Sequence, residues 1–365
     1  MTGSANACRR MRSRTRRTRR RTTAERPSKM QGRTGGVRRR VGAVGVLSPR
    51  RRGSSSALGF FAVVVAAVAS SADAKTVRER WVIRPQIITS ANATFSPDCY
   101  LGDRRVLLVN DINPGPVLRA EVGDVVKVTI VNKSPTDAVT VHYHGLSMKG
   151  YPYSDGTGAV SQCSVGPLQT QVNEFVAEDV GTHYWHGHTG MERVDGLQGA
   201  IVITDPHDED EKLLRTLYDE ERILFLQDWY HREGSFQRTG LDSLPFRWIG
   251  NPQTLLINGK GQYLPCLESE DNCVENCGSA GGGYLPEINV EQGKTYRLRI
   301  ISGAQLVGLN LAISDHAMMV VEADGTLVRP FSVNNLDIMP AQVSSFLMQD
   351  YCLASLPIRS SRSLA

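Results

Sequence analysis

From residue 75 onward the chain reads as short apolar runs with a period of two, cut by turn formers. In residues 123–131, Val126, Val128 and Ile130 share one face while Lys127 and Thr129 take the other, which is the alternation of a half-buried strand. Runs at 78–88, 106–109, 139–143, 170–176, 181–188 and 199–203 complete a first group of expected strands. A second group follows at 222–228, 287–290, 294–301, 306–313, 318–322, 336–339 and 344–348. Between the groups, residues 205–211 are polar and acidic, and residues 212–218 predict a short helix whose amino end those acids favour. Stretches such as 110–116, Asn-Asp-Ile-Asn-Pro-Gly-Pro, stop the strands. This many short strands predicts an all-β chain of Greek-key β-sandwiches, one over 78–205 and one over 222–352, with a linker at 206–221.

Two strands of the first group carry the candidate chemistry. Four of the eight histidines fall into two His-x-His pairs, His142 with His144 and His186 with His188. Side chains two residues apart on a strand leave the same face, so each pair can present two imidazoles to one ion. Neutral imidazole suits copper, zinc, iron or nickel, and neither pair contains a carboxylate that would favour a hard ion. One histidine beside aromatic residues is ordinarily a hydrogen-bonded core or surface group; two such pairs outweigh that reading. His183 lies an odd number of residues from His186, leaves the opposite face and is expected not to be a ligand. His207 in its charged run, the isolated His231 and the turn residue His316 are likewise expected to be non-ligands.

The order of motifs carries a resemblance. His142-Tyr143-His144-Gly145, Asp155-Gly156, Ser161-Gln162-Cys163, the run Gly-Thr-His-Tyr-Trp-His-Gly-His at 181–188 and Gly196-Leu197-Gln198-Gly199 together resemble the first cupredoxin domain of laccases and ascorbate oxidases, the multicopper oxidases. Residues 296–301 and 315–325 resemble the second. The resemblance implies tandem cupredoxin domains and a copper cofactor. It implies that His142 ligates the type 2 copper and that His144, His186 and His188 ligate the type 3 pair. It also implies a catalytic role for Asp155 beside the solvent channel of the copper cluster, relaying protons or orienting water; an ordinary turn aspartate before Gly156 is the other reading.

Complete members of this family carry a third domain, with a type 1 copper whose cysteine is flanked by histidines and with the remaining trinuclear ligands. No cysteine here has a histidine two positions to either side, and no comparable cluster follows His188. The expectation is therefore a laccase-type copper oxidoreductase with the third domain missing, incomplete as written, ending in an unstructured polar tail at 353–365. In the complete protein, one-electron oxidation of a phenol or similar small reductant would be coupled to reduction of molecular oxygen to water. A partner chain that supplies the missing histidines is one way to complete the site. The alternative is a non-catalytic, secreted copper-binding or structural cupredoxin module.

Charge changes the picture at the amino end. Residues 1–54 hold seventeen Arg and one Lys against Glu25, while residues 75–365 carry more acids than bases, so the formal net charge of +5 describes neither part. The basic leader offers almost no aromatic residue for base stacking and runs into the apolar segment 57–69, followed by Ala72-Asp73-Ala74. A basic region, a short apolar core and an A-x-A site over 55–74 read as a secretory signal, with an amino-terminal anchor as the alternative. Met30 is an alternative start. The acidic remainder makes nucleic acid an unsuitable partner. In an oxidising compartment the six cysteines beyond Cys8 are expected to form disulfides, with fifteen pairings open. Cys273 and Cys277 read as the staple of a surface loop rather than a zinc site. Asn92 reads as a glycosylation acceptor, and Asn132 as a weaker one because Pro135 follows Ser134.

Overall fold

The first part of the chain forms eight strands, seven of them at the expected runs. They are Thr76–Ile88 (β1), Arg104–Val109 (β2), Gly115–Glu121 (β3), Val125–Asn132 (β4), His142–His144 (β5), Thr170–Val176 (β6), Gly181–His186 (β7) and Gln198–Thr204 (β8). They form two four-stranded sheets, β2-β1-β4-β6 and β3-β8-β7-β5. Within β4, Val126, Val128 and Ile130 are fully buried, as their spacing requires. Trp81, Val128 and Phe175 of the first sheet join Leu118, Tyr143, Trp185 and Ile201 of the second in one apolar cluster, so the two sheets bury their facing sides against each other.

In the computed structural model, the described residues are 74–88, 96–267, 273, 285–349, 356–357 and 359–362. The leader expected at 1–54 and the signal expected at 55–74, up to residue 73, lie outside them, as do Asn92, Cys277 and Cys352. The described strands all belong to one compact unit, Ser70–Ala365.

The second part begins with helix Glu209–Arg215 (α1), strand Glu220–Trp229 (β9), helix Gly234–Leu241 (α2) and strand Thr254–Ile257 (β10). Strands Glu287–Ile288 (β11), Thr295–Ser302 (β12), Leu309–Ala312 (β13), Met318–Ala323 (β14), Thr326–Val333 (β15), Leu336–Ile338 (β16) and Val343–Gln349 (β17) follow, then Leu356–Pro357 (β18) and Arg359–Arg362 (β19). A six-stranded sheet runs β10-β9-β12-β17-β14-β15; smaller ones run β16-β13-β19 and β11-β18. Leu298, Ile300 and Phe346 of the large sheet pack with Leu309, Leu311 and Ile338 in a second apolar cluster. The architecture is thus mostly β and multi-sheet.

Helix α2 and strand β10 have no counterpart among the expected elements, and four further features differ from expectation, each for a physical reason. Helix α1 starts three residues earlier than the expected 212–218, because Asp208 accepts a hydrogen bond from the Glu211 amide at 2.8 Å and caps a first turn rich in acids. Strand β3 was hidden by its Gly-Pro start and buries only Gly115, Leu118 and Ala120. Strand β15 is an exposed edge containing Pro330, so it lacks the apolar face that marks a strand. The segment 353–365, expected to be unstructured, contains β18 and β19; these pair with β11 and β13 and satisfy backbone groups along otherwise open edges.

Candidate metal centre

Strands β5 and β7 run antiparallel with His142 opposite His186, Tyr143 opposite Trp185 and His144 opposite Tyr184. Alternation therefore divides the two strands by role. Tyr143 and Trp185 enter the core, while the two histidines of β5 and His186 leave on the other face. One ligand atom from each of His142, His144 and His186 lies within 4.8 Å of the other two. His188 lies past the end of β7, with its ring centre 5.2 Å from that of His142 and 5.7 Å from that of His186. The structure thus gathers all four histidines of the two pairs. His183 takes the opposite face, with Nε2 3.2 Å from the Asp179 carbonyl oxygen. His207 is exposed, and His231 Nε2 sits 2.8 Å from Asp98 in a separate place.

Hydrogen bonds select which nitrogens are free. Nδ1 of His142 donates to the Asp155 carbonyl oxygen at 2.7 Å, and Nδ1 of His186 donates to the Gly187 carbonyl oxygen at 2.8 Å, leaving Nε2 of each ring as the available base. Nε2 of His186 is 3.3 Å from Nδ1 of His144. Two nitrogens bound to one ion at about 2.0–2.1 Å with a tetrahedral angle stand about that far apart. The donor set therefore fits a soft or borderline transition metal. Burial pushes His186 down to about 2 and His144 down to about 4, and it lowers His142 although Asp155 opposes the shift. All three rings are held neutral, the form that binds metal.

Asp155 stands beside His142, with its main-chain oxygen as the nearer acceptor. Its carboxylate lies 3.3 Å from His142 Nδ1 and accepts from Thr157 Oγ1 at 2.6 Å. His144, His186, His188, Arg193, Gln305 and Ala341 line an open cavity. Glu192 lies under the second histidine pair, and burial pushes its carboxyl up to about 7. Sequence reasoning passed over Glu192, Arg193 and Gln305, since a charged turn and a lone amide carry no spacing signal.

Among the cysteines, Cys266 is bonded to Cys273, so the loop staple joins those two; Cys99 is also disulfide-bonded, and Cys163 is exposed and free.

Two domain models described as multicopper oxidase match residues 89–208 and 220–350. An L-ascorbate oxidase of Cucumis sativus is 40% identical over 257 residues, 70% of this chain and 43% of that protein. One from Nicotiana tabacum is 42% identical over 260 residues, 70% of this chain and 44% of that protein. Laccase-2 of Thanatephorus cucumeris is 35% identical over 268 residues, 71% of this chain and 42% of that protein. Among solved structures, a laccase from Botrytis aclada superposes with a TM-score of 0.63 at 26% identity, covering 77% of this chain and 48% of that one. The chain spans a little under half the length of these curated relatives.

Proposed function

Since this chain belongs to the multicopper oxidase family, we propose that it is a copper-dependent oxidoreductase of laccase type in which His142, His144, His186 and His188 hold copper. The observation that carries the reading is the register of β5 against β7, which brings ligand atoms of three histidines within 4.8 Å on one face. His142 takes the type 2 position, and His144, His186 and His188 take type 3 positions. Bound copper supplies the one-electron redox chemistry through which a phenol or similar small reductant is oxidised and oxygen is reduced to water. The chain's own contribution is to hold protons on Nδ1 of His142 and His186, to keep the rings neutral by burial and to place the Asp155 carboxylate where a proton can be passed near the metal. Relatives named L-ascorbate oxidase and laccase support an organic reductant. We place the ligands in the first of two Greek-key cupredoxin domains, 78–205 and 222–352, and assign the protein to the secreted compartment.

A second reading has its own observation. No cysteine in the sequence has a histidine within two positions, so a blue-copper ligand set is not spelled out in these residues. That favours the non-catalytic reading, a secreted copper-binding or structural cupredoxin module. Copper per chain, with optical and paramagnetic spectra, tests the site on the full chain. The expected result is bound copper that falls to background in His186→Ala; unchanged copper in that variant would overturn the ligand assignment. Oxygen uptake with a phenol then separates the oxidase, which consumes oxygen, from the module, which does not.

A further inference from the structure

The β5–β7 ladder ends at the pair His142–His186; the same register continued would set Val141 opposite Gly187 and, one position further, Thr140 opposite His188. No backbone pair forms there. The His188 amide donates instead to Thr140 Oγ1 at 2.8 Å, and Thr140 Oγ1 donates to Glu192 Oε2 at 2.8 Å. The same Oε2 accepts from the Thr189 amide at 2.9 Å, and Oε1 accepts from the Thr140 amide at 3.3 Å. Glu192 is 8% exposed and Thr140 is fully buried, so these bonds are shielded from water. Gly187 lies so close that a Cβ there would stand 2.4 Å from the Glu192 Cβ. One carboxylate therefore occupies the place of the missing ladder bonds and joins Thr140, two residues before His142, to the Thr189 amide just after His188.

We propose that Glu192 is a positioning residue for the metal centre, fixing His188 relative to His142 by bridging Thr140 to the His188–Thr189 backbone. The proposal rests on the copper reading above. It makes the fourth histidine a ligand set by a side chain, whereas the other three are set by the sheet.

A double-mutant cycle on the full chain tests it, with copper affinity and the copper paramagnetic spectrum as readouts and thermal unfolding as the fold control. If Glu192 acts through His188, Glu192→Ala weakens copper binding by about tenfold, the low end for loss of a supporting partner. His188→Ala has a similar effect, and the double variant is no weaker than His188→Ala alone. Glu192→Gln, which keeps one acceptor oxygen, is expected to recover most of the affinity and the wild-type spectrum. Equal loss on Glu192→Ala in both backgrounds, or unchanged affinity with a lowered unfolding temperature, would overturn the proposal and leave Glu192 as a purely structural residue. Failure of the copper reading looks different, because His186→Ala would then leave copper binding unchanged.

Discussion

At the scale of single residues, His142 depends on a glycine that is not its neighbour in sequence. Gly156 has φ +83°, and a Cβ there would lie 1.7 Å from the Val141 carbonyl oxygen and 2.8 Å from the His142 Cα. That close approach brings the preceding carbonyl, of Asp155, within 2.7 Å of His142 Nδ1. Gly156→Ala is therefore expected to cost at least the ~1–2 kcal/mol of a left-handed conformation, and more from the backbone clash. It should also weaken copper binding, because the acceptor that fixes the His142 tautomer moves. Denaturant unfolding paired with copper titration checks both effects; a variant with wild-type stability would mean that the turn opens freely.

At the scale of elements, β7 serves two environments at once, with Trp185 in the core and His186 in the site. Trp185 is fully buried, lies 4.4 Å from the Trp81 ring and donates from Nε1 to the Pro116 carbonyl at 2.9 Å. Trp185→Ala should cost about 3–5 kcal/mol, as for other large-to-small changes in cores, measured by urea unfolding. A cost under about 1 kcal/mol would show that the core closes over the gap. This double duty is also why the site was partly legible in the sequence. A spacing of two residues fixes which side chains share a face, so His142 with His144 and the exclusion of His183 could be read directly. The register that brings His144 to His186, 42 residues away, could not, because pairing depends on contacts that no local pattern records. Glu192 was illegible for the opposite reason, since its place is set by a turn without periodicity. Among the elements, alternation revealed β4, whereas β3 and β15 escaped because proline and exposure remove the apolar face.

At the scale of the whole molecule, a buried ionic network ties the strand that carries His186 to the large second sheet. Glu322 is fully buried and accepts from the Thr182 amide at 2.6 Å, Ser345 Oγ at 2.6 Å and Arg297 Nη2 at 2.9 Å. Arg299 donates to Thr182 Oγ1 at 2.8 Å and pairs with Glu221 at 2.9 Å. Removing the carboxylate by Glu322→Ala takes from the buried Arg297 its nearer carboxylate, leaving Glu211 at 3.2 Å, and leaves Arg299 to Glu221 alone; the expected loss is about 3 kcal/mol, the low end for breaking a buried pair. The network also sets an acid limit. Burial opposes ionisation of Glu322, but Arg299, Arg297 and the hydrogen bonds outweigh it and hold the carboxyl below its ordinary 4.5. A carboxyl depressed in the folded state contributes stability that is fully present above the unfolded value and is lost as pH falls through the folded one. Stability should therefore decline as pH drops below about 4.5, and Glu322→Gln, less stable at neutral pH, should decline less steeply over that range. Unfolding free energies of both proteins measured from pH 6 to pH 3 decide the matter. Parallel curves would show that other carboxylates set the acid limit, whereas converging curves place it on the one carboxylate that joins Thr182 to Arg297 and Ser345.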